Sequence, residues 1–416
     1  MPRRVLAVSS AGSVFLGVQA LVERLQAVEV RWIAVCMTDT ASALADADVR
    51  WTPELTASRP WQVGAATWRA WRELRAFRPD VVIAAGTGVA LPWLVAARIA
   101  GVRTVWVEPI ARVELGNARA RACARLVDCV IVQRAGGLRS RRRAIFSGRL
   151  GADDMTALLD QTLAVSDDAS NPFAHHPTRR WSFAFDALRR CDGVHLDVGV
   201  GDGEFLTELR RSGRDAIGVD VHAGYLAELR RQGDAPLVRI GHRDAWPFRD
   251  NSVASVSMLD TLEHVADESI ALAEAFRVLA HGGTLVVTVP ARHAFSFLDP
   301  DNAKLRYPNV HRIAYTARRG SQRYERRFGD LSDGLRGDLS VERDEHTNYL
   351  APELISELQR NGFSVLRRDG ANLFWRFFQV PQLLTRGRLS QAFDAPLRWD
   401  GEHFHQANLF LVAKKD

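Results

Sequence analysis

Apolar residues along this chain fall into two alternating patterns. Short runs, unbroken in Val5–Val8 and Val81–Ala85 and interrupted only by serines in Val253–Leu259, are separated by longer stretches whose apolar residues recur three and four apart. The runs predict buried strands and the 3.6-residue period predicts helices. Their alternation predicts parallel sheets with helices on both faces, so the fold class is α/β. Early in the chain Val5–Ser10 reads as a strand, and Ala11-Gly12-Ser13 turns into a helix reaching about Val28. Val30–Met37 reads as a second strand. Trp61–Phe77 reads as a helix with Val63, Trp68, Trp71 and Leu74 near one face. Asp80–Gly88 is a strand and turn, Leu91–Ile99 a helix, and Thr104–Glu108 and Asp128–Gln133 are further strands.

The same alternation restarts after residue 190 with a glycine-rich punctuation. Val194-His-Leu-Asp-Val-Gly-Val-Gly-Asp-Gly-Glu-Phe205 begins as a strand with Asp197 near its carboxyl end, then turns through Gly199, Gly201 and Gly203 into a helix. Such a strand–turn–helix builds a nucleotide pocket at the carboxyl edge of a parallel sheet. Arg214–Asp220 is a second strand ending in an acid, placed to accept the two hydroxyls of a ribose. Ile240–Phe248 supplies Asp244, placed to meet an adenine amino group. The strand Val253–Leu259 leads into Asp260-Thr-Leu-Glu263-His264-Val. A helix over Ile270–Leu279 is expected to end at Gly282-Gly283, before a strand Thr284–Val289 that stops at Pro290.

From 291 to 350 the pattern lapses. A loop this long inside a compact domain is expected to be a lid or substrate site. Pro352–Asn361 then reads as a helix closed by Gly362, and Phe363–Leu366 and Ala407–Ala413 as the last strands. Between them Phe374, Trp375, Phe377, Phe378 and Trp399 suit either lid packing or an apolar or sugar-binding face.

The glycine motif with its leading acid, the acid at Asp220, the Asp244-Ala-Trp-Pro-Phe segment, the Leu-Glu-His-Val step and the Arg-Val-Leu-Ala-His-Gly-Gly-Thr-Leu turn resemble class I S-adenosylmethionine-dependent methyltransferases. The nearest subgroup is that of quinone-biosynthesis and small-molecule O-methyltransferases. The resemblance covers 190–290 closely and 340–416 loosely. It implies a Rossmann-like domain with a seven-stranded mixed sheet and S-adenosyl-L-methionine as cofactor. Its contacts would fall on Asp197, Gly199, Gly201, Gly203, Asp220, Val221, Asp244, Ala245 and Asp260. A dinucleotide oxidoreductase is the competing reading. The tighter glycine spacing and the acid preceding it favour the methyltransferase.

Arg78-Pro-Asp-Val-Val-Ile-Ala-Ala-Gly-Thr-Gly-Val-Ala-Leu-Pro, with Val105-Trp-Val-Glu108-Pro-Ile-Ala-Arg112-Val, resembles the oligosaccharide-biosynthesis glycosyltransferase subunit family. That resemblance covers about 1–150 and implies the acceptor-side lobe of a two-part N-acetylglucosaminyltransferase. The first turn departs from the family's Gly-Gly-His, since Ser10-Ala-Gly-Ser13 stands there. Binding a glycan acceptor, scaffolding a partner glycosyltransferase and a purely structural role all remain open. Glu108 and Arg112 fit either a ligand site past a strand end or a local ion pair.

The expected organisation is therefore a Rossmann-like domain at 1–150, a linker at 151–180 and a methyltransferase domain at 181–416 with an acceptor lid at 291–350. The implied activity is O-methylation of a sugar or lipid-linked saccharide in cell-surface glycan synthesis. The alternative is a glycosyltransferase component with an auxiliary methyltransferase domain. A hydroxyl acceptor gains from a base, and the histidines weighed are His264, His311, His293 and His346, with the first three preferred. His403 and His405, beside Asp400 and Glu402, suggest a metal pair only weakly, and no metal is expected.

Charge and cysteine content add bounds. Net charge is +6, and Lys304, Lys414 and Lys415 are the sole lysines. Arginine pairs bidentately with phosphate and carboxylate, so acidic acceptors and an anionic membrane are candidate partners, the latter through Arg139–Arg143. Nucleic acid is not expected. Cys36, Cys123, Cys129 and Cys191 have no metal spacing, which suits a reducing cytoplasm. The residues after Met1 read as a first strand rather than a leader. The longest apolar run, Val89–Val102, is broken by Pro92 and Arg98, too short to span a membrane.

Overall fold

The apolar runs pair into sheets in two compact units, Met1–Val165 and Ser166–Asp416. The computed structural model describes residues 3–25, 28–53, 60–108, 118–133, 136–140, 143–146, 171–174, 176, 179–189, 191–233, 235–241, 243–329, 331, 335–337, 339–340, 346–384 and 392–416. Arg112, Arg141, Arg142 and most of the linker expected at 151–180 lie outside the described residues.

In the first unit β1 (Arg3–Ser9), β2 (Val28–Ala34), β3 (Val49–Trp51), β4 (Val81–Ala85), β5 (Arg103–Val107), β6 (Cys129–Val132) and β7 (Ala144–Phe146) stand in the order β7-β6-β5-β4-β1-β2-β3. Every pairing is parallel. Leu6, Ile83 and Trp106 are fully buried, as expected for strands covered on both faces. The first helix, Ser13–Val22, is shorter than the sequence suggested. Residues 28–34 alternate around β-branched positions and pair instead with β1, Arg3 opposite Val28; pairing overrides a continued helical period.

In the second unit β8 (His195–Val198), β9 (Ala216–Asp220), β10 (Leu237–Arg239), β11 (Val253–Leu259) and β12 (Leu279–Pro290) are parallel. A two-stranded hairpin, β13 (Leu335–Arg336) and β14 (Leu339–Ser340), stands apart. The last strands, β15 (Phe363–Ala371) and β16 (Asn408–Lys415), join antiparallel, β16 lying beside β12. The order β10-β9-β8-β11-β12-β16-β15 makes seven strands of mixed direction. Chain order reverses between β8 and β11, and such a switch point opens a crevice at the carboxyl ends of the strands.

Helix Arg179–Leu188 supports this edge. Phe183, Phe185 and Leu188 are buried in a core with Leu206, Phe410 and Val412, and the Phe183 and Phe410 rings lie 5.2 Å apart. Two expectations need correcting. The helix read over Ile270–Leu279 ends at Val278, and Gly282-Gly283 lies within β12 rather than before it. The segment after Pro290, read as a loop, is largely helical: Pro300–Arg306, Pro308–Arg319 and Ser321–Tyr324, then a π-turn over Glu325–Gly329. Proline at the first turn and glycine at the end of Pro308–Arg319 punctuate that helix.

Candidate active site

Strand β8 ends where Gly199 takes φ +78°, followed by Gly201 at +54° and Gly203 at +76°. Two of the three are required by packing. A Cβ on Gly199 would lie 2.3 Å from Thr261 Oγ1, and one on Gly203 would lie 2.4 Å from Leu229 Cδ2. Gly201 has nothing nearer than 3.9 Å to that position. Its N–H donates to Asp220 Oδ2 at 3.0 Å, while Asp220 Oδ1 accepts the His222 N–H at 2.8 Å. The acid closing β9 thus ties the glycine turn to its neighbour. A carboxylate has about four lone-pair directions; the Gly201, His222 and Val221 amides bear on this one, and lone-pair capacity remains for a ligand.

These turns border a cavity of about 640 Å³. Asp197, Gly199, Gly201, Asp220, Val221, Asp244 and Asp260 all line it; Gly203 and Ala245 do not. Gly203 instead caps helix Glu204–Arg211 against Leu229, and Ala245 is exposed.

Beneath the turn runs a buried polar string. Ser257 Oγ donates to Asp197 Oδ1 at 2.7 Å, and the His195 ring nitrogens lie 2.9 and 3.0 Å from the hydroxyls of Ser255 and Ser257. Burial pushes the Asp197 carboxyl up to about 7, against the Ser257 bond, and holds His195 down at about 3. Asp220 is also raised by burial, opposed by its backbone donors.

Asp260, just past β11, sits at φ +51°. Its Oδ1 accepts from Thr288 Oγ1 at 2.8 Å and its Oδ2 pairs with Arg180. Arg180 Nε, Trp375 Nε1 and Arg376 Nε are buried without a hydrogen-bond acceptor, and all three residues line the cavity. Buried donors left unmade are costly, so three around one cavity mark a place for ligand oxygens.

Glu263, His264 and His346 line the cavity as well. Burial, reinforced by Asp260, holds the Glu263 carboxyl well above the usual range. The His264 and His346 rings are 5.0 Å apart. His346 Nδ1 lies 2.8 Å from Asp299 Oδ2, with the Asp299 side chain fully buried. Asp299 Oδ1 accepts from an Arg376 guanidinium nitrogen at 2.8 Å, and Asn348 Nδ2 donates to Oδ2 at 3.2 Å. Burial alone would raise this acid; His346 and Arg376 overcome that and hold it below the usual carboxylate range.

Of the preferred bases, only His264 borders the cavity. His311 packs its ring on Tyr315, Tyr324 and Phe328 at 5.8, 6.0 and 5.0 Å. His293 Nδ1 is 3.0 Å from both the Ala291 carbonyl and Ser296 Oγ, and burial lowers its pKa. Neither of these lid histidines, weighed as bases, is among the residues lining the cavity. The suggested His403/His405 pair fails too: helix Asp394–His403 ends at the first, and Nδ1 of each lies near a backbone carbonyl, Trp399 O at 2.8 Å and Gly370 O at 2.7 Å. Cation-compatible donors occur instead in Glu263, His264 and His346, whose ligand atoms lie within 4.8 Å of one another. Trp375, one of the aromatics weighed for lid packing or an acceptor face, lines the cavity, whereas Arg180, Arg376 and the Asp299 partner of His346 had no signal in spacing.

A family model for a methyltransferase domain matches residues 196–287. The chain is 33% identical over 138 residues to a demethylmenaquinone methyltransferase of Renibacterium salmoninarum, covering 32% of this chain and 58% of the relative. It is 32% identical over 120 residues to a "Probable S-adenosylmethionine-dependent methyltransferase" of Mycolicibacterium smegmatis, covering 28% and 47%. A ubiquinone biosynthesis O-methyltransferase of Azorhizobium caulinodans is 30% identical over 122 residues, covering 28% and 48%. The chain thus spans about half the length of the curated relatives it matches. The second unit contains a class I S-adenosylmethionine-dependent methyltransferase domain. Its cofactor is S-adenosyl-L-methionine, and the cavity suits that molecule: a glycine turn for close approach, an acid with spare lone pairs, and an unpaired arginine N–H for a carboxylate. Among the described residues no helix is long and apolar enough to cross a membrane.

Proposed function

We propose that the protein transfers a methyl group from S-adenosyl-L-methionine to an oxygen of a small acceptor, with His346 as the base. The observation that carries this is the His346–Asp299 pair at the cavity wall. Asp220 would accept the ribose hydroxyls, Asp244 would meet the adenine, and Arg180 Nε would hold the methionine carboxylate, with Asp197, Gly199, Gly201, Val221 and Asp260 completing that end. Trp375 Nε1 and Arg376 Nε would hold polar atoms of the acceptor.

S-adenosylmethionine supplies an activated methyl on a sulfonium, so the protein's task is mainly alignment. The carboxylate of Asp299 takes the Nδ1–H of His346 and leaves Nε2 with a lone pair. That nitrogen would take the acceptor's hydroxyl proton as the oxygen is methylated, and the imidazolium would later return that proton to water. His264, beside His346, would orient the acceptor.

For the acceptor we favour a sugar or lipid-linked saccharide, on the likeness of residues 1–150 to the glycosyltransferase subunit family. The likeness to quinone-pathway relatives favours a phenolic acceptor as the second reading. Calorimetry with S-adenosylmethionine and with nucleotide sugars separates methyl transfer from a glycosyltransferase or scaffold role. Micromolar binding of the first alone is expected; binding of neither would sink the proposal. A labelled-methyl assay on extracted glycolipids and on dihydroxybenzoate then decides between acceptors.

A further inference from the structure

The segment inserted after β12 carries a surface that methyl transfer does not use. Between Arg306 and Arg327 stand seven arginines and a single acid, Glu325, which is paired with Arg312 at 3.0 Å. Helix Pro308–Arg319 has no buried residue. One of its faces, His311 and Tyr315, meets the rings of Tyr324 and Phe328. Val310, Ile313, Ala314 and Ala317 follow the i, i+3, i+4, i+7 spacing of a single stripe, the spacing a globular helix turns to its core. Here all four are exposed, Val310 at 65% and Ile313 at 72%. Tyr307 at the helix start and Phe297 shortly before it are exposed at 63% and 76%.

An apolar stripe set among arginines matches an anionic lipid surface: aliphatic side chains enter the acyl boundary while guanidinium groups meet headgroup phosphates. A nucleic acid fits less well, because single strands are held by stacking on open aromatic faces, and the rings of Tyr315, Tyr324 and Phe328 pack on one another. We propose that helix Pro308–Arg319 seats the inserted segment on an anionic membrane. Asp301, Arg327 and His346 belong to the same segment and line the cavity. On the methyl-transfer reading, a lipid-borne acceptor would therefore enter directly from the bilayer; membrane binding itself does not depend on that reading.

The test is sedimentation of the full chain with vesicles of phosphatidylcholine alone and of phosphatidylcholine mixed equally with phosphatidylglycerol. Binding to the mixed vesicles should exceed the neutral ones by about tenfold or more and weaken with salt. Val310→Asp with Ile313→Asp should lower it about tenfold, and Ile313→Ser should lower it less, while calorimetric S-adenosylmethionine binding stays unchanged in both. Equal sedimentation with both vesicles, or full binding by the Asp pair, overturns the proposal. So does tight capture of oligouridylate by protein that ignores vesicles. Loss of cofactor binding in the unaltered chain would strike the methyl-transfer reading and leave the vesicle result standing.

Discussion

Asp299 and His346 are 47 positions apart in the chain, yet Oδ2 of one lies 2.8 Å from Nδ1 of the other. Arg376 and Asn348 hold the same carboxylate from other directions. The acid therefore fixes which imidazole nitrogen faces the cavity. If His346 is the base, His346→Gln should lower kcat about a hundredfold or more, the lower end of what such groups contribute. Calorimetric affinity for S-adenosylmethionine should stay within about twofold. Asp299→Asn should fall between, and in 15N-resolved spectra its His346 should gain the Nε2–H tautomer. A glutamine variant at near-normal kcat would remove the histidine from the reaction.

On the proposed reading Asp220 would anchor the cofactor end. Asp220→Ala removes the acceptor for the Gly201 and His222 amides and, on that reading, for the ribose hydroxyls. Cofactor binding should weaken by about 1–3 kcal/mol. Circular dichroism and a melting curve run beside the calorimetry separate lost contacts from a collapsed turn. Undiminished affinity in a folded variant would remove that acid from the site.

The positive φ of Gly199 and the nearness of Thr261 make it the least tolerant position of the turn. Gly199→Ala must strain the backbone and displace Thr261, at a cost of about 1–3 kcal/mol in unfolding free energy. Gly201→Ala meets no such neighbour but is still strained by its φ of +54°, so it should lose less stability than Gly199→Ala, by the backbone part alone, and lose cofactor affinity besides. Denaturant titrations of the two variants check the contrast.

Much of this frame was legible in the chain. Val194–Val198 reads as a strand because Val194, Leu196 and Val198 alternate at a two-residue period, and glycines punctuate it where φ turns positive. Asp220 is legible because an acid closing the next strand has a geometric reason to be there. Failures came where local pattern competed with partners distant in sequence. Gly282-Gly283 look like a break, yet they form an irregularity within β12, whose pairing with β11 skips from Leu279 to Thr284. Residues 300–329 are largely helical, but their one apolar stripe, Val310, Ile313, Ala314 and Ala317, is short and set among arginines, so the stretch reads as a lapse in the pattern. His311 and His346 are indistinguishable as isolated histidines; burial beside Asp299 and Arg376, supplied from far along the chain, separates them. Arg180 pairs with Asp260 across 80 positions, beyond the reach of any motif.

Stability should carry the signature of Asp197. Its folded carboxyl is raised from 3.8 to about 7, chiefly by burial. The folded chain keeps a proton that the unfolded chain has released, so between these values the unfolded state binds fewer protons and stability falls as pH rises. The contribution is complete below about pH 4, declines by at most about 1.4 kcal/mol per pH unit, and is gone above about pH 7. Asp197→Asn mimics the protonated acid and should flatten that part of the profile while keeping the Ser257 contact. Melting temperatures of both proteins from pH 4 to 8, in one buffer series at constant ionic strength, make the comparison. Parallel curves would mean that Asp197 is ionised in the folded chain across that range, with the Ser257 hydroxyl outweighing its burial.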